Sequence, residues 1–293
     1  MDFQEQIVQL IFSGLTIGSI YALIATGFVI TYNITGVLNF AQGEFAMLGA
    51  MIAISLVSAG LPQIPAFMLT ILIVFVIGAL FERVAIHPAR RSKGSTMIII
   101  TIGVAIAVRG IALLIWGTDP KILPPFTKGE PLNIFGAVVQ LQSLWAIGVT
   151  LISLFFMYIF FERTFMGKAV TACVVNRFAA QLMGIKPEKM SLISISVSAA
   201  LGAIGGIIIA PISGATYEMG LMLGMKAFIA AVIGGLTNAP AAIVGALIVG
   251  LLESFTEGLW SSGYKNLIIF GVLLLVLFFL PNGLFAKISG KRV

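Results

Sequence analysis

ERTFMGKAVTACVVNRFAAQLMGIKPEKM, residues 162–190, is the longest interruption in an otherwise greasy chain, and the architecture can be worked out from it. It lies between two apolar segments and carries Arg163, Lys168, Arg177, Lys186 and Lys189 against only Glu162 and Glu188. A basic loop between apolar segments marks the cytoplasmic side of a membrane. Within it, Phe178, Leu182 and Ile185 fall at i, i+4 and i+7, one apolar stripe of a short helix. Gly184 and Pro187 then supply stop signals. Such a helix has two uses. It rests on lipid or on its own bundle, or it fits a groove on a cytoplasmic partner.

Composition agrees with a membrane chain. The 293 residues are 59% hydrophobic and 10% charged, with a mean hydropathy of +1.12. A soluble domain carries about 25% charge, so a soluble core is excluded. The net charge of +6 raises the question of nucleic acid, but 12 of the 17 Lys and Arg lie in three short stretches, 83–93, 163–189 and 287–292. Basic residues gathered that way set topology and touch anionic lipid rather than read a groove, so no nucleic-acid partner is expected. Cys173 and His87 are each the only residue of their kind, which leaves no disulfide framework and no cysteine metal cluster. No cleavable signal peptide is expected, because Met1 to Gln6 is acidic and the apolar run that follows is too long for an h-region.

A spanning helix needs roughly 20 mostly apolar residues. Suitable runs are 7–31, 41–58, 64–86, 96–116, 143–161, 190–212 and 264–280. The region 226–255 is too long for one span and is cut near Asn238 and Pro240, which predicts two helices or a broken re-entrant pair. The fold class is therefore an all-α polytopic membrane protein of about 8–9 spans, a single transmembrane domain over 1–293. Placing the basic stretches inside puts the loop 162–190 in the cytoplasm and the Pro-rich loop 117–142 outside, with a small hairpin expected over Leu132 to Gln140. The N-terminus, with Asp2 and Glu5, is then outside and the C-terminus inside. Gly is abundant, at 32 residues, and clusters from Gly202 to Gly250. Small residues let helix backbones approach closely in lipid, as plain packing or as contacts that slide during gating.

Enzyme motifs are absent. There is no G-x-x-x-x-G-K-[ST] phosphate loop and no H-E-x-x-H, and the two Asp, Asp2 and Asp119, lie outside the spans. Ionisable residues within spans are the functional candidates instead. Asn39, Gln42 and Glu44 form a polar knot at the start of the second segment that lines a route or senses a neighbouring subunit. Glu44 also suits the dipole of a helix N-terminus. Arg109, deep in the fourth segment, snorkels or pairs within the bundle. Lys226 is expected to begin a helix at the outer interface, as an anchor. Glu253 and Glu257, with Glu218, form a solvated outer edge or a docking patch for an external partner.

Several of these residues belong to stretches that resemble a known family. Gly14-Leu-Thr-Ile-Gly-Ser-Ile-Tyr-Ala-Leu-Ile-Ala25 and Thr35-Gly-Val-Leu-Asn-Phe-Ala-Gln-Gly-Glu-Phe-Ala-Met-Leu-Gly-Ala50 resemble the opening of LivH-type permeases, membrane subunits of ABC importers for branched-chain amino acids and related small solutes. Glu82-Arg-Val-Ala, the run Lys226 to Leu236 with Gly245 and Ala246, and Pro281-Asn-Gly-Leu-Phe285 agree. The resemblance implies a bundle similar to the larger vitamin- and sugar-type importer permeases. It also implies that 162–190 docks on an ATP-binding subunit, through Arg177, Phe178, Ala179, Ala180, Leu182, Gly184 and Ile185. Ala179-Ala180 with Gly184 resemble the E-A-A-x-x-x-G pattern of importer permeases, with Phe178 in the place of its Glu, and Leu280 stands where many relatives carry Arg. Implied partners are a LivM-like second permease, two ATPases that hold ATP and magnesium, and a solute-binding protein; this chain is expected to bind no cofactor itself. Asn39, Gln42, Glu44, Asn238 and Pro240 are then expected along the translocation pathway, and Glu218, Glu253 and Glu257 where the binding protein docks, in the inner membrane of a prokaryote. The alternative is a self-contained secondary transporter or channel.

Overall fold

The computed structural model describes residues 3–90, 92–134, 136–280 and 283–284. Asp2, Arg91, Pro281, Asn282, Phe285 and the basic stretch 287–292 lie outside the described residues. In chain order the helices are α1 (Phe3–Thr35), α2 (Gln42–Ser58), α3 (Gln63–Phe81), α4 (His87–Ala89), α5 (Gly94–Trp116), α6 (Leu141–Arg163), α7 (Phe165–Val175), α8 (Arg177–Leu182), α9 (Pro187–Ser213), α10 (Met219–Gly234), α11 (Ala239–Leu259) and α12 (Lys265–Phe279). A single π turn, Glu82–Ile86, joins α3 to α4. Leu132–Ile134 and Ala137–Val139 pair antiparallel as the small hairpin expected from the sequence.

Hydrogen bonds sort the loops onto two ends of the bundle. At one end, Gln9 near the start of α1 exchanges two bonds with the Val138 backbone. Gln63 donates to the carbonyls of Pro124 and Pro125, and Lys121 bridges to Ala215. At the other end, Asn33 donates to the Thr237 carbonyl, Leu284 N to Ile233 O, and Arg90 pairs with Glu188. Seven of the described helical stretches are long and apolar enough to cross between these ends, those of α1, α3 continued through α4, α5, α6, α9, α11 and α12; α2 and α10 are shorter, and their first turns meet inside the bundle at Gly43 and Gly220. The region 226–255 is indeed cut in two, at Gly235, whose φ of 105° suits a residue without a Cβ. Asn238 then caps α11, its Oδ1 accepting from Ala241 N, and Pro240 sits in the first helical turn.

Burial separates an inner set from an outer one. α1, α9, α10 and α11 fill the middle, whereas α3, α5, α6 and α12 turn most of their apolar side chains outward. Close approach inside rests on glycine: a Cβ at Gly43 would strike the Gly220 carbonyl, and one at Gly206 the Ala46 carbonyl. α2 and α10 are only 17 and 16 residues long, about 25 Å at 1.5 Å per residue against a hydrocarbon core of about 30 Å. The irregular stretches before them, 36–41 and 214–218, are therefore mostly tucked into protein, where a bilayer tolerates unpaired backbone.

Candidate functional site

The stretch 162–190 holds two short helices rather than one. Thr164 opens α7 by accepting from Gly167 N, and Asn176 opens α8 by accepting from Ala179 N at 3.0 Å. Gly184, at φ 81°, closes α8: its amide bonds the Gln181 carbonyl while Ile185 N bonds Ala180 O, a Schellman closure. This turn splits the expected stripe. Phe178 and Leu182 stay outward at 70% and 73% exposure, with Met183 beside them, while Ile185 folds back onto the base formed with Ala169, Val170, Cys173 and Met190. Ala180 is buried in that base; Arg177 and Ala179 are exposed. The result is a small peg, fixed underneath by Ala180 and bare and greasy on top.

The polar knot lies inside the bundle. Gln42 Nε2 donates to the Ser198 carbonyl at 3.0 Å, and Ser198 Oγ lies 2.8 Å from both Gln42 Oε1 and the Gly27 carbonyl. Asn39 Oδ1 accepts from Ala41 N. Glu44 meets Arg109, 65 residues away, so pairing within the bundle is what Arg109 does. Asn238 and Pro240 do not join this group. They sit at the end of the bundle near Thr237, where Pro240 lines a cavity of about 410 Å³ with Val29, Ile30, Asn33, Met157 and Val174.

Two expectations are corrected. Lys226 does not begin a helix at an interface; it lies in the middle of α10 and is 8% exposed. Its partner is Glu253, 27 residues on, whose other oxygen accepts from Tyr21 OH at 2.7 Å. Glu253 is thus buried at 3% exposure and cannot present a docking patch, because three elements close over it. Glu218 and Glu257 are exposed, the first bonded to Tyr217 OH and the second 3.4 Å from Lys265.

The reading by residue type missed one joint entirely. Glu82, fully buried in the π turn, accepts from Arg90 Nη2 at 2.8 Å, and Arg90 Nη1 reaches Glu188 in the first turn of α9 at 3.0 Å. The only sequence signal was the spacing of Glu82 and Arg90, about two helical turns apart. A π turn changes which residues face each other, and spacing alone does not reveal it.

Seven helices long enough and apolar enough to cross a membrane among the described residues, a glycine-packed interior and buried charges paired with one another describe a polytopic membrane protein. The chain belongs to the family of the branched-chain amino acid transport system permease component, whose family model matches residues 10–277. It is 32% identical to the high-affinity branched-chain amino acid transport system permease protein LivH of Salmonella typhimurium, over 98% of this chain and 97% of that one. It is equally similar, at 32%, to the permease protein BraD of Pseudomonas aeruginosa, over 98% of each. The ribose import permease protein RbsC of Haemophilus influenzae is 26% identical over 92% of this chain and 84% of its own length. Membership in this family does not favour a self-contained carrier.

Proposed function

We propose that this chain is the permease subunit of an ABC importer for branched-chain aliphatic amino acids or closely related small solutes, driven by separate ATP-binding subunits. The observation that carries the reading is the α8 peg. A bare apolar surface of Phe178, Leu182 and Met183 on a six-residue helix, capped at both ends and based chiefly on α7, suits a groove in a partner. Full-length similarity to two amino acid permeases supports the substrate class.

In this reading the peg's end of the bundle faces the cytoplasm. Arg83, Arg90, Lys93, Arg163, Lys168, Arg177, Lys186 and Lys189 lie there, against Lys121, Lys128 and Lys265 at the other end. The N-terminus is outside and the C-terminus inside, in the inner membrane of a prokaryote. ATP and magnesium bind the partner subunits. A second, LivM-like permease completes the membrane part, and a solute-binding protein docks on the outer end, where Glu218 and Glu257 are exposed. ATP binding moves the peg, α9 carries the motion inward through Ser198 to Gln42, and the route opens alongside Asn39, Gln42 and Glu44.

Phe178→Asp with Leu182→Asp tests this, because both side chains are exposed and their replacement leaves the interior alone. The variant is expected to insert and fold but to lose co-purification with the ATP-binding subunits and ATP-driven uptake. Retention of both by the variant excludes the peg as the docking element.

A further inference from the structure

We propose that Glu44 and Arg109 form a subsite for a zwitterion, with the solute's ammonium going to Glu44 and its carboxylate to Arg109; this rests on the permease reading above and assigns its pathway a binding pair. The two side chains are bonded to each other, yet each keeps unused capacity. Glu44 Oε2 and Arg109 Nε make no hydrogen bond, and neither does Asn39 Nδ2 beside the same helix start. Glu44 is 2% exposed, and its free oxygen faces Gly220, where any Cβ would collide with it. Buried polar atoms in native proteins are nearly always bonded, so two unbonded ones on a single ion pair ask for a reason.

The surroundings suit a small charged guest. α2 begins at Gln42 and α10 at Met219, and no side chain caps either start. The amides of Gln42, Glu44, Met219 and Leu221 already donate to backbone carbonyls, but both helix starts keep a positive dipole end close to Glu44 and to any second carboxylate brought there. Half-helix starts inside a membrane serve this purpose in transporters. α2 and α10 touch there through Gly43, Gly220 and Gly224, backbone on backbone, with the Glu44 carboxylate set against Gly220. Arg109 approaches from α5 with 22% of its side chain exposed, and Glu218 at the start of α10 is exposed too, which gives the pair an open flank.

Charge balance selects the guest. A zwitterion that enters between the partners turns one ion pair into two, and every buried charge stays matched. A neutral sugar separates Glu44 from Arg109 and offers neither an opposite charge. A net cation or anion leaves one charge over. Uncompensated buried charge is the strongly unfavourable case, so only a molecule with both signs close together passes without that cost.

The test uses the complete transporter in proteoliposomes with L-leucine as probe. Glu44→Gln, Arg109→Met and their combination are compared with wild type. The site predicts that all three lose leucine uptake, by about tenfold or more as for truncation at a buried charge pair. A pair that only braces helices predicts that the double variant, with no charge left over, regains uptake; that recovery overturns the proposal. Thermal midpoints of the purified variants separate loss of fold from loss of the site. If the double variant does not fold, Arg109→Lys decides, since it keeps the charge and loses the fork. A raised leucine concentration for half-maximal uptake is expected, and an unchanged one overturns the site. No ATP-driven uptake of leucine or of any other amino acid by the wild-type complex would sink the amino-acid permease reading and this inference together, whereas wild-type uptake with indifferent variants sinks the site alone.

Discussion

Lys226 and Glu253, one from each half of the broken apolar region, form an ion pair inside the bundle, with Tyr21 of α1 holding the second carboxylate oxygen. This lock ties α10 to α11 and α1. Losing one member of a buried pair costs about 3–5 kcal/mol, chiefly because the other is left alone. Lys265, 3.8 Å from the Glu253 oxygen that Lys226 binds, offsets part of it. Lys226→Met is therefore expected to destabilise toward the lower bound of that range. Lys226→Met with Glu253→Gln should recover most of the loss. Thermal unfolding of the purified chain in detergent, as a double-mutant cycle, checks both.

The Arg90 joint predicts an asymmetry. Glu82 is fully buried and Glu188 is 61% exposed, yet Arg90 touches both. Arg90→Met strands Glu82 and should cost about 3–5 kcal/mol. Glu188→Gln removes a solvent-screened pair and should cost under about 1 kcal/mol. The same unfolding measurement separates them, and equal losses would show that the burial of Glu82 does not govern the joint.

Glycines divide in the same way. Gly43 meets the Gly220 carbonyl and the Gly224 backbone, whereas nothing lies near Gly103 on the outer face of α5. Gly43→Ala forces the helices apart, an overpacking cost of about 1–3 kcal/mol. Gly103→Ala should be neutral or stabilise by up to about 1 kcal/mol through helix propensity.

Burial pushes the Cys173 thiol up, against a smaller downward pull from the Arg177 guanidinium. A raised value means less thiolate at any given pH below it, and the thiolate is the nucleophile. Maleimide labelling of Cys173 at neutral pH should therefore lag behind a free cysteine, and its rate should keep rising with pH beyond the ordinary thiol range. A labelling curve that coincides with that of a free thiol contradicts the buried base under the peg.

What the sequence made legible were features with local causes. Apolar length placed the spans, Asn238 and Pro240 placed the cut, and Gly184 placed the end of the peg, because each acts through its own backbone within a turn. Long-range facts were not legible. Glu44 and Arg109 are both visibly anomalous in apolar segments, but their meeting depends on how α2 and α5 pack. Glu253 looked like an outer-face carboxylate because it pairs with Glu257 at helical spacing; the lysine that draws it inward is on another helix. α7 was hidden because its Thr164 cap is a single weak signal inside a basic loop.

The claim on which the account depends is that the force for transport enters through α8. A structure of this permease purified with its ATP-binding subunits tests it most directly. The account predicts Phe178 and Leu182 seated in a groove of an ATP-binding subunit, with Ala180 still buried against Ala169, Val170 and Cys173. Phe178 and Leu182 lying against lipid while the nucleotide-binding subunits engage another part of the chain would contradict it.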